Sequence, residues 1–449
     1  MADNTPKHFR NLVIYGIYVR AYGPHGNFVD VENDLQRIKD MGVDVVWFNP
    51  IHPIGLINKK GDLGCPYSIS DYRQINPEYG TMESFEQLIR TAHQIGLKVM
   101  IDVVFNHTSH DATLLKEHPE YYTQDEFGNP ITTVPEWSDV IDLHHPQAGL
   151  NRYLIDTLIM WVKKGIDGFR CDVASLIPLS FWQQARNEIA AIKPDCIWLA
   201  ESVHAGFVEY RRRKGLFALS DSELYQAFDI TYDYDIWPVF QAVVTGHTPL
   251  VEYVQALRFQ DAIFPANFIK MRAVENHDQF RIMKLAGSEN KARAWTAFMA
   301  FNKGVYHIYN GQESAESHTP SLFTVEKINW SDRKFQPFLS KLAKLKKHPA
   351  QLEGLFTITD CSTALVAIWS HPRSSLLGIF NVSQQSGVIK TILPEGEFQD
   401  ILSGNDYFVD QNGYVNMPDD AVIFEIQSQL IADPCKTLLL DFHIEQDSE

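Results

Sequence analysis

Several features are scarce or missing in this 449-residue chain, and each absence excludes a class of protein. No run of about twenty apolar residues is present, so we expect no membrane-spanning helix. Its five cysteines are an odd number without a CxxC pair, which favours reduced thiols over a disulfide framework. There is no basic block and the formal net charge is −17, which disfavours nucleic acid and anionic membranes as partners.

The start of the chain predicts the compartment. Residues Met1 to Arg10 are polar, and the first apolar run, Leu12 to Tyr18, is short. This start lacks the charged, long apolar and small-residue segments of a signal peptide. Together with the cysteine pattern, it predicts a cytoplasmic protein.

The alternation of apolar runs with helical patterns is the main structural signal of the first 350 residues. Repeated βα units pair their strands in parallel with right-handed crossovers. The eight predicted strands cover residues 12–19, 43–48, 97–105, 168–171, 196–200, 228–231, 270–274 and 305–309. We therefore predict an α/β fold built on a closed (β/α)8 TIM barrel. An open doubly wound sheet is the rival, although no GxGxxG motif opens the chain.

Two regions depart from this alternation. A long polar segment follows the third predicted strand, on the barrel face where active sites form. After residue 350 the pattern changes to short strands separated by turn signals such as Asn412-Gly413. We predict a barrel over residues 1–106 and 148–350, a short insertion over 107–147, and a C-terminal antiparallel β-sandwich over 351–449. The tail containing Leu438 to Leu440 has no functional interpretation.

Charged and histidine side chains follow four of the predicted strands at their carboxyl ends, where barrel enzymes hold catalytic and ligand-binding groups. One such end is usually a helix cap or a turn, but four on one rim indicate a functional site. The four ends are Asp102 to His107, Arg170 to Asp172, Trp198 to Glu201, and Glu275 to Asp278.

Asp172 and Glu201 carry the chemical interpretation. Two carboxylates on adjacent strands suit glycosidic hydrolysis, in which one attacks the anomeric carbon and the other protonates the leaving oxygen. Arg170 lies on the same strand face as Asp172, so we expect it to keep Asp172 ionised. The apolar residues before Glu201 should raise its pKa, which separates the two roles. A structural Arg–Asp pair and a metal site are the alternatives, although no HxH or HExxH spacing is present.

The ordered motifs resemble those of the α-amylase family of glycoside hydrolases (family thirteen), of the intracellular maltodextrin-hydrolase type. Segments 102–107 and 168–172 resemble the first and second regions of that family, Glu201 stands at its acid/base position, and 276–278 resembles its fourth region. Supporting similarities lie at 42–50, 66–72 and 304–313. The likeness runs in order from residue 10 to about residue 420, which makes it far more specific than a lone Asn-His-Asp.

The resemblance implies a role for each of these side chains. Asp172 would be the nucleophile, Glu201 the general acid and then base, and Asp278 a third carboxylate that binds sugar hydroxyls. The substrate-binding residues that it implies are Tyr67, His107, Arg170, His277 and Arg281. Packed loop positions are the alternative for Tyr67 and the two histidines.

Departures from the family pattern bear on substrate and metal. Val173 and Ala174 follow the nucleophile position, and the Lys-His pair typical of secreted α-amylases is absent. The family's structural calcium uses the residue that matches Asn106, but the acidic residues of this insertion lack calcium-loop spacing. We expect that no cofactor is required and leave calcium at Asn106 open.

These observations predict a retaining hydrolase of α-1,4-glucosidic bonds in maltooligosaccharides or α-glucans. A glucanotransferase, an α-glucosidase or a sugar isomerase could use the same machinery. Loss of Asp172 or Glu201 would have indicated a non-catalytic carbohydrate-binding barrel, and both are present. Endo or exo action, chain-length preference and oligomeric state do not follow from the sequence.

Overall fold

The computed structural model describes residues 5–360 and 362–427. The predictions that involve Cys361, Cys435 and the tail from Leu438 to Leu440 lie outside these residues. Within them, Cys65, Cys171 and Cys196 carry free thiols.

Eight parallel strands close a barrel. The first ten strands of the chain are β1 (Val13–Ile17), β2 (Val45–Phe48), β3 (Lys98–Val103), β4 (His107–Ser109), β5 (Val140–Asp142), β6 (Gly168–Cys171), β7 (Ile197–Ala200), β8 (Ile230–Tyr232), β9 (Lys270–Arg272) and β10 (Val305–Tyr309). The barrel order is β1-β10-β9-β8-β7-β6-β3-β2, and β4 pairs with β5 outside it. The predicted (β/α)8 barrel is confirmed.

The barrel strands are buried on both faces, which explains why their sequences are apolar runs without polar alternation. Gly168 is required where β6 meets β7, because an added Cβ would lie 2.8 Å from the carbonyl oxygen of Ile197. Strand β6 has the predicted limits, whereas β3 ends at Val103 because the chain leaves the barrel there to begin the insertion.

Helices follow most of the barrel strands. They are α1 (Val19–Tyr22), α2 (Phe28–Glu32), α3 (Leu35–Asp40), α4 (Met82–Gln94), α5 (Thr113–Glu117), α6 (Ala148–Lys163), α7 (Leu179–Ala190), α8 (Ala205–Arg213), α9 (Asp221–Leu224), α10 (Trp237–Val244), α11 (Leu250–Ile263), α12 (Ile282–Ala286), α13 (Glu289–Phe301), α14 (Gln336–Leu345) and α15 (Pro349–Glu353). Among the residues that the structure describes, no helix combines the length and the apolarity needed to cross a bilayer.

Side-chain hydrogen bonds fix the start of α4 and lie at the break between α2 and α3. Thr81 caps α4 in a reciprocal pair with Ser84, as its sequence position predicts. The helical spacing of Leu35 and Ile38 predicts a single helix over residues 30–41, and this prediction is wrong, since the structure has α2 and α3 there. Asp34 lies between them, and its carboxylate accepts hydrogen bonds from Arg37 and, at 2.6 Å, from the hydroxyl of Tyr22. Such side-chain bonds compete with continuation of a helix.

The C-terminal strands form an antiparallel domain beside the barrel. They are β11 (Leu355–Asp360), β12 (Leu365–Ser370), β13 (Ser374–Phe380), β14 (Val388–Lys390), β15 (Gly396–Gln399), β16 (Asp406–Val409), β17 (Tyr414–Asn416) and β18 (Ala421–Gln427). The main sheet has the order β11-β12-β13-β18, and β14-β17 and β15-β16 are two-stranded sheets. Phe380 packs on Phe298 and Phe301 of α13 with ring centroids 5.4 Å apart, which attaches this domain to the barrel. The domain limits given above stay a prediction.

Candidate active site

The side chains that follow β3, β6, β7 and β9 meet at one end of the barrel, because parallel strands place their carboxyl ends on the same rim. They border a cavity of about 210 Å³. The predicted residues that line it are Tyr67, His107, Asp172, Glu201, His277 and Asp278. A larger apolar groove of about 750 Å³ beside α8 and α11 contains none of these side chains, so the smaller cavity is the candidate site.

Arg170 is fully buried beneath this cavity and contacts three carboxylates. Its Nη1 donates to Asp172 Oδ1 at 2.7 Å and to Asp102 Oδ1 at 2.8 Å. Its Nη2 lies 3.0 Å from Glu201 Oε1, an ion-pair contact without the alignment of a hydrogen bond. The planar guanidinium therefore holds Asp172 and Glu201 at one edge of the same cavity.

Three carboxylates share this single positive charge, and burial dominates their protonation. Burial raises the pKa of Glu201 to about 8, and the nearby charges of Asp172 and Asp278 add to the rise against the pull of Arg170. Burial likewise raises the pKa of Asp172 to about 7, although Arg170 lowers it. The expectation that Arg170 keeps the pKa of Asp172 low is therefore wrong, because one shared guanidinium does not offset the lost water. Arg170 donates a hydrogen bond to Asp172 but makes only an ion-pair contact with Glu201, which favours the negative charge on Asp172 and the proton on Glu201.

The turn after Asp172 aims a backbone donor at Glu201. Val173 has a φ of 33°, in the left-handed region, and its N–H donates to Glu201 Oε2 at 2.6 Å. A residue that is not glycine in such a sparsely populated region costs about 1–3 kcal/mol. The surrounding contacts therefore hold the turn, and the turn fixes the orientation of the Glu201 carboxyl group.

A hydrogen-bonded chain joins His277 to Asp102 through Tyr67. The Tyr67 hydroxyl donates to Asp102 Oδ2 at 2.9 Å and lies 2.7 Å from His277 Nε2. Asn49 donates to the same hydroxyl at 3.0 Å. The rings of Tyr67 and His277 stack at 5.3 Å. Burial lowers the pKa of His277 to about 4, so its imidazole is neutral at neutral pH and can donate to the Tyr67 oxygen from Nε2.

Asp278 follows β9 and His107 follows β3, and these strands lie on either side of the strands that precede Asp172 and Glu201. The Asp278 side chain is 37% exposed, compared with 8% for Asp172, so its oxygens are open to a ligand. Tyr234 donates to Asp278 Oδ2 at 3.4 Å. Burial lowers the pKa of His107, whose ring lies 5.5 Å from that of Trp137 in the insertion. The cavity thus offers neutral and charged hydrogen-bonding groups around a central space.

The acidic residues of the insertion do not fit a calcium ion. Asp139 pairs with Lys60 at 2.9 Å, and Asp142 accepts two hydrogen bonds from a threonine of the same loop. The Asn106 amide lies against the ring of His107, with Nδ2 3.1 Å from Nδ1. Within residues 5–360 and 362–427, no three His, Cys, Asp or Glu side chains are arranged to hold a metal. The donors therefore do not converge, and no step below uses a metal.

Arg281 does not line the cavity, and its expected contact with the substrate stays a prediction. The guanidinium is fully buried, binds Glu275 Oε1 at 2.6 Å and donates to the carbonyl oxygen of Asn310 at 2.8 Å. These contacts join the loops after β9 and β10. The geometry gives no support to a direct substrate contact by Arg281.

Sequence reasoning did not predict several of the side chains that line the cavity, among them Lys60, Cys65, Trp137, Leu322 and Phe323. None belongs to a motif with chemical meaning. They come from the insertion and from the loops after β2 and β10. Their place in long loops after barrel strands is the signal that could have identified them.

Comparison with known proteins agrees with this geometry. Residues 5–129 and 135–335 match the family model described as alpha amylase, catalytic domain, and residues 357–424 match the bacterial alpha amylase C-terminal domain. A solved alpha-amylase from Lactobacillus plantarum is 41% identical with a TM-score of 0.90, over 94% of this chain and 100% of that one. A noncanonic maltogenic alpha-amylase from Thermotoga neapolitana is 32% identical with a TM-score of 0.84, over 94% and 99%.

Curated relatives include a longer enzyme. An alpha-1,4-glucan:maltose-1-phosphate maltosyltransferase from Cereibacter sphaeroides is 29% identical over 317 residues, which are 65% of this chain. The match spans 49%, about half, of that relative's length. Because the catalytic-domain model matches well over half of the residues and a solved alpha-amylase that is 41% identical has the same fold, this chain belongs to the alpha-amylase family.

Proposed function

We propose that this chain is a retaining glycoside hydrolase that cleaves α-1,4-glucosidic bonds in maltooligosaccharides and α-glucans. The observation that carries the proposal is that Asp172 and Glu201 contact one buried guanidinium and border one cavity. Retaining enzymes hold their two carboxyl groups about 5–5.5 Å apart, whereas inverting enzymes need about 6.5–9.5 Å for an intervening water. Attachment to the same guanidinium favours the shorter spacing.

The two carboxyl groups divide the chemistry between them. In the first step the Asp172 carboxylate attacks the anomeric carbon, the bond to the glycosidic oxygen breaks, and Glu201 gives its proton to that oxygen. In the second step Glu201 takes a proton from water, the water oxygen attacks the same carbon, and Asp172 leaves. Two inversions restore the starting configuration. The hydrogen bond from Arg170 to Asp172, which Glu201 lacks, supports this division, and burial raises the pKa of Glu201 so that it can hold a proton.

The remaining cavity residues would bind and orient the sugar. Asp278 offers exposed carboxylate oxygens, and His107 and His277 offer neutral imidazoles for hydroxyl groups. Arg170 acts through Asp172 and Glu201 and does not line the cavity, so we assign it a positioning role. Tyr67 holds His277 in place through its hydroxyl and its ring.

The cytoplasmic location and the absence of a required metal are parts of the same proposal. The odd cysteine count without CxxC supports a reducing compartment. The acidic residues of the insertion that have partners of their own support a mechanism without calcium. Unchanged activity after exhaustive chelation would agree with the second point, and recovery only on added calcium would contradict it.

Time-resolved product analysis on maltoheptaose, with anomers assigned by NMR, tests bond type and stereochemistry together. We expect α-anomers to appear first and to mutarotate later. Asp172→Asn is the matched control, because the amide keeps the shape but cannot attack. Initial β-anomers would indicate inversion, and the absence of any cleavage by the unaltered protein would reject the hydrolase proposal.

A glucanotransferase is the second candidate, and one observation favours it. A relative that matches 65% of this chain is described as an alpha-1,4-glucan:maltose-1-phosphate maltosyltransferase, a name that denotes glycosyl transfer. Pure maltotetraose separates the two activities. Products longer than four residues as the major early species would favour transfer, and shorter products alone would favour hydrolysis.

A further inference from the structure

One side of the cavity is a wall made by the loops after β2 and β10. We call Lys60, Cys65, Leu322 and Phe323 the wall residues, and all four line the cavity that holds Asp172 and Glu201. The first two belong to the loop after β2, and the last two to the loop after β10. Sequence motifs indicated neither the wall nor its position.

Direct contacts join the two loops of the wall. The Leu63 N–H donates to the carbonyl oxygen of Phe323 at 3.1 Å. The buried guanidinium of Arg20 donates to the carbonyl oxygen of Leu322 at 2.9 Å and lies 3.4 Å from that of Gly64, so it bridges both loops. Gly61 has a φ of +63°, and an added Cβ there would lie 2.6 Å from Phe323 Cβ. The loops therefore meet without a gap at this point.

The insertion closes the wall at a second point. Lys60 Nζ pairs with Asp139 Oδ1 at 2.9 Å and donates to the carbonyl oxygen of Glu136 at 2.9 Å. Asp139 and Trp137 line the same cavity from the insertion side. Three chain segments thus surround one end of the cavity.

The barrel order fixes where this wall lies relative to the proton donor. Strands β2 and β10 are the two neighbours of β1, so their loops meet above β1. Glu201 follows β7, which is four places from β1 in either direction around the barrel. The wall and Glu201 therefore lie on opposite sides of the rim, and Asp172 after β6 lies between them.

The reaction assigns the Glu201 side and the wall side of the rim to the two parts of the substrate. A proton donor must lie beside the glycosidic oxygen, on the side of the leaving sugar, and the sugar attached to the nucleophile extends the other way. That other side ends at the wall.

We infer that the wall closes the glycone side of the site, so that the enzyme acts from the non-reducing ends of α-glucans and releases a short product of fixed length. This inference rests on the proposed hydrolase function and adds exo action to it. The wall residues Leu322 and Phe323 determine this specificity by excluding further sugar rings.

The test compares two maltoheptaosides that carry the same chromogenic group at the reducing end. One has a free non-reducing end, and the other has its terminal 4- and 6-hydroxyls bridged by an ethylidene group. We expect the blocked substrate to be cleaved at least about tenfold more slowly, since the pocket has no room for the added group. Equal rates would overturn the exo inference and leave the hydrolase proposal standing. Cleavage of neither substrate would overturn both.

Side-chain truncation locates the barrier. The double variant L322A/F323A keeps the backbone carbonyl groups that bind Arg20 and Leu63, so the loops stay joined. We expect it to raise the ratio of blocked to free cleavage at least about tenfold. Phe127→Ala is the matched control, because Phe127 is 80% exposed on the insertion and does not line the cavity. An unchanged ratio in the double variant would overturn the assignment to these two side chains.

Discussion

Replacing Glu201 by glutamine should change the pH dependence of stability in a direction that follows from the site. Burial raises the pKa of Glu201 to about 8, whereas an unfolded glutamate titrates near 4.3. Between these values the folded protein holds a proton that the unfolded chain has lost. The stability contributed by Glu201 is therefore fully present below about pH 4.3 and is lost as pH rises towards about 8.

The magnitude follows from the same window. One group that keeps its proton only in the folded state loses about 1.4 kcal/mol of stability per pH unit. Between pH 5.5 and 7.5 the unfolding free energy of Glu201→Gln should therefore rise by up to about 3 kcal/mol relative to the unaltered protein. This is an upper value, because Asp172 and Glu201 titrate as a coupled pair and share the proton uptake in this window. The amide's own packing cost is the same at both pH values and cancels.

Urea unfolding of both proteins at pH 5.5 and 7.5 measures how the difference in unfolding free energy between Glu201→Gln and the unaltered protein changes with pH. Glu126→Gln, at an exposed position of the insertion, controls for the exchange of a carboxyl for an amide. A difference that stays constant or falls as pH rises would show that the folded protein does not hold a proton on Glu201. The general-acid assignment would then fail with it.

Activity gives an independent measure on the same variant. Loss of the general acid should lower kcat/KM on maltooligosaccharides by about 10²–10⁴. Hydrolysis of α-maltosyl fluoride should be reduced much less, because fluoride leaves without a proton. An equal loss on both substrates would point to a role for Glu201 other than proton donation.

Three further predictions follow from the same contacts. Asp172→Asn should lower activity at least about 10³-fold on both maltooligosaccharide and fluoride substrates while the circular dichroism spectrum is unchanged, and ordinary turnover would contradict a nucleophilic role. The value of kcat/KM should fall below about pH 7, where Asp172 takes up a proton, and above about pH 8, where Glu201 loses one. Because the two groups are coupled, both apparent pKa values describe the pair and not one residue. A flat profile from pH 5 to 9 would reject this assignment. Tyr67→Phe should lower the free energy of unfolding, measured in urea, by about 1–3 kcal/mol, because Asp102 and His277 each lose a buried hydrogen-bond partner. Tyr210→Phe, at an exposed position, is the control and should change it little.

The strand pattern shows why the fold was readable from the sequence. Strands buried on both faces need apolar runs, and the strand ends need turns, so the eight barrel strands are visible as local signals. The spacing of apolar residues did not predict the break in the helix expected over residues 30–41. Its apolar spacing was helical, but the bonds of Asp34 to Tyr22 and Arg37 interrupt it, and nothing in the spacing reports them.

The gathering of the three carboxylates at one rim of the barrel was predictable for a similar reason. Asp172, Glu201 and Asp278 follow barrel strands directly, and a parallel barrel brings such positions together whatever the loops do. Arg281 was expected to contact the substrate because it follows Asp278 closely in the chain, but closeness in sequence does not determine where a long side chain ends. Its guanidinium instead pairs with the buried Glu275.

The sequence by itself determined the barrel, the C-terminal antiparallel domain and the identity of the rim carboxylates, because each depends on local periodicity and on position at a strand end. Tertiary structure alone decided the burial that raises the pKa of the central carboxyl groups, and the shape of the cavity. The raised pKa of Asp172 depends on three carboxylates sharing Arg170 out of contact with water. The closed side depends on Phe323 meeting, above β1, a loop more than 250 residues earlier in the chain, and the hydrophobic spacing of a sequence does not report such contacts between distant loops.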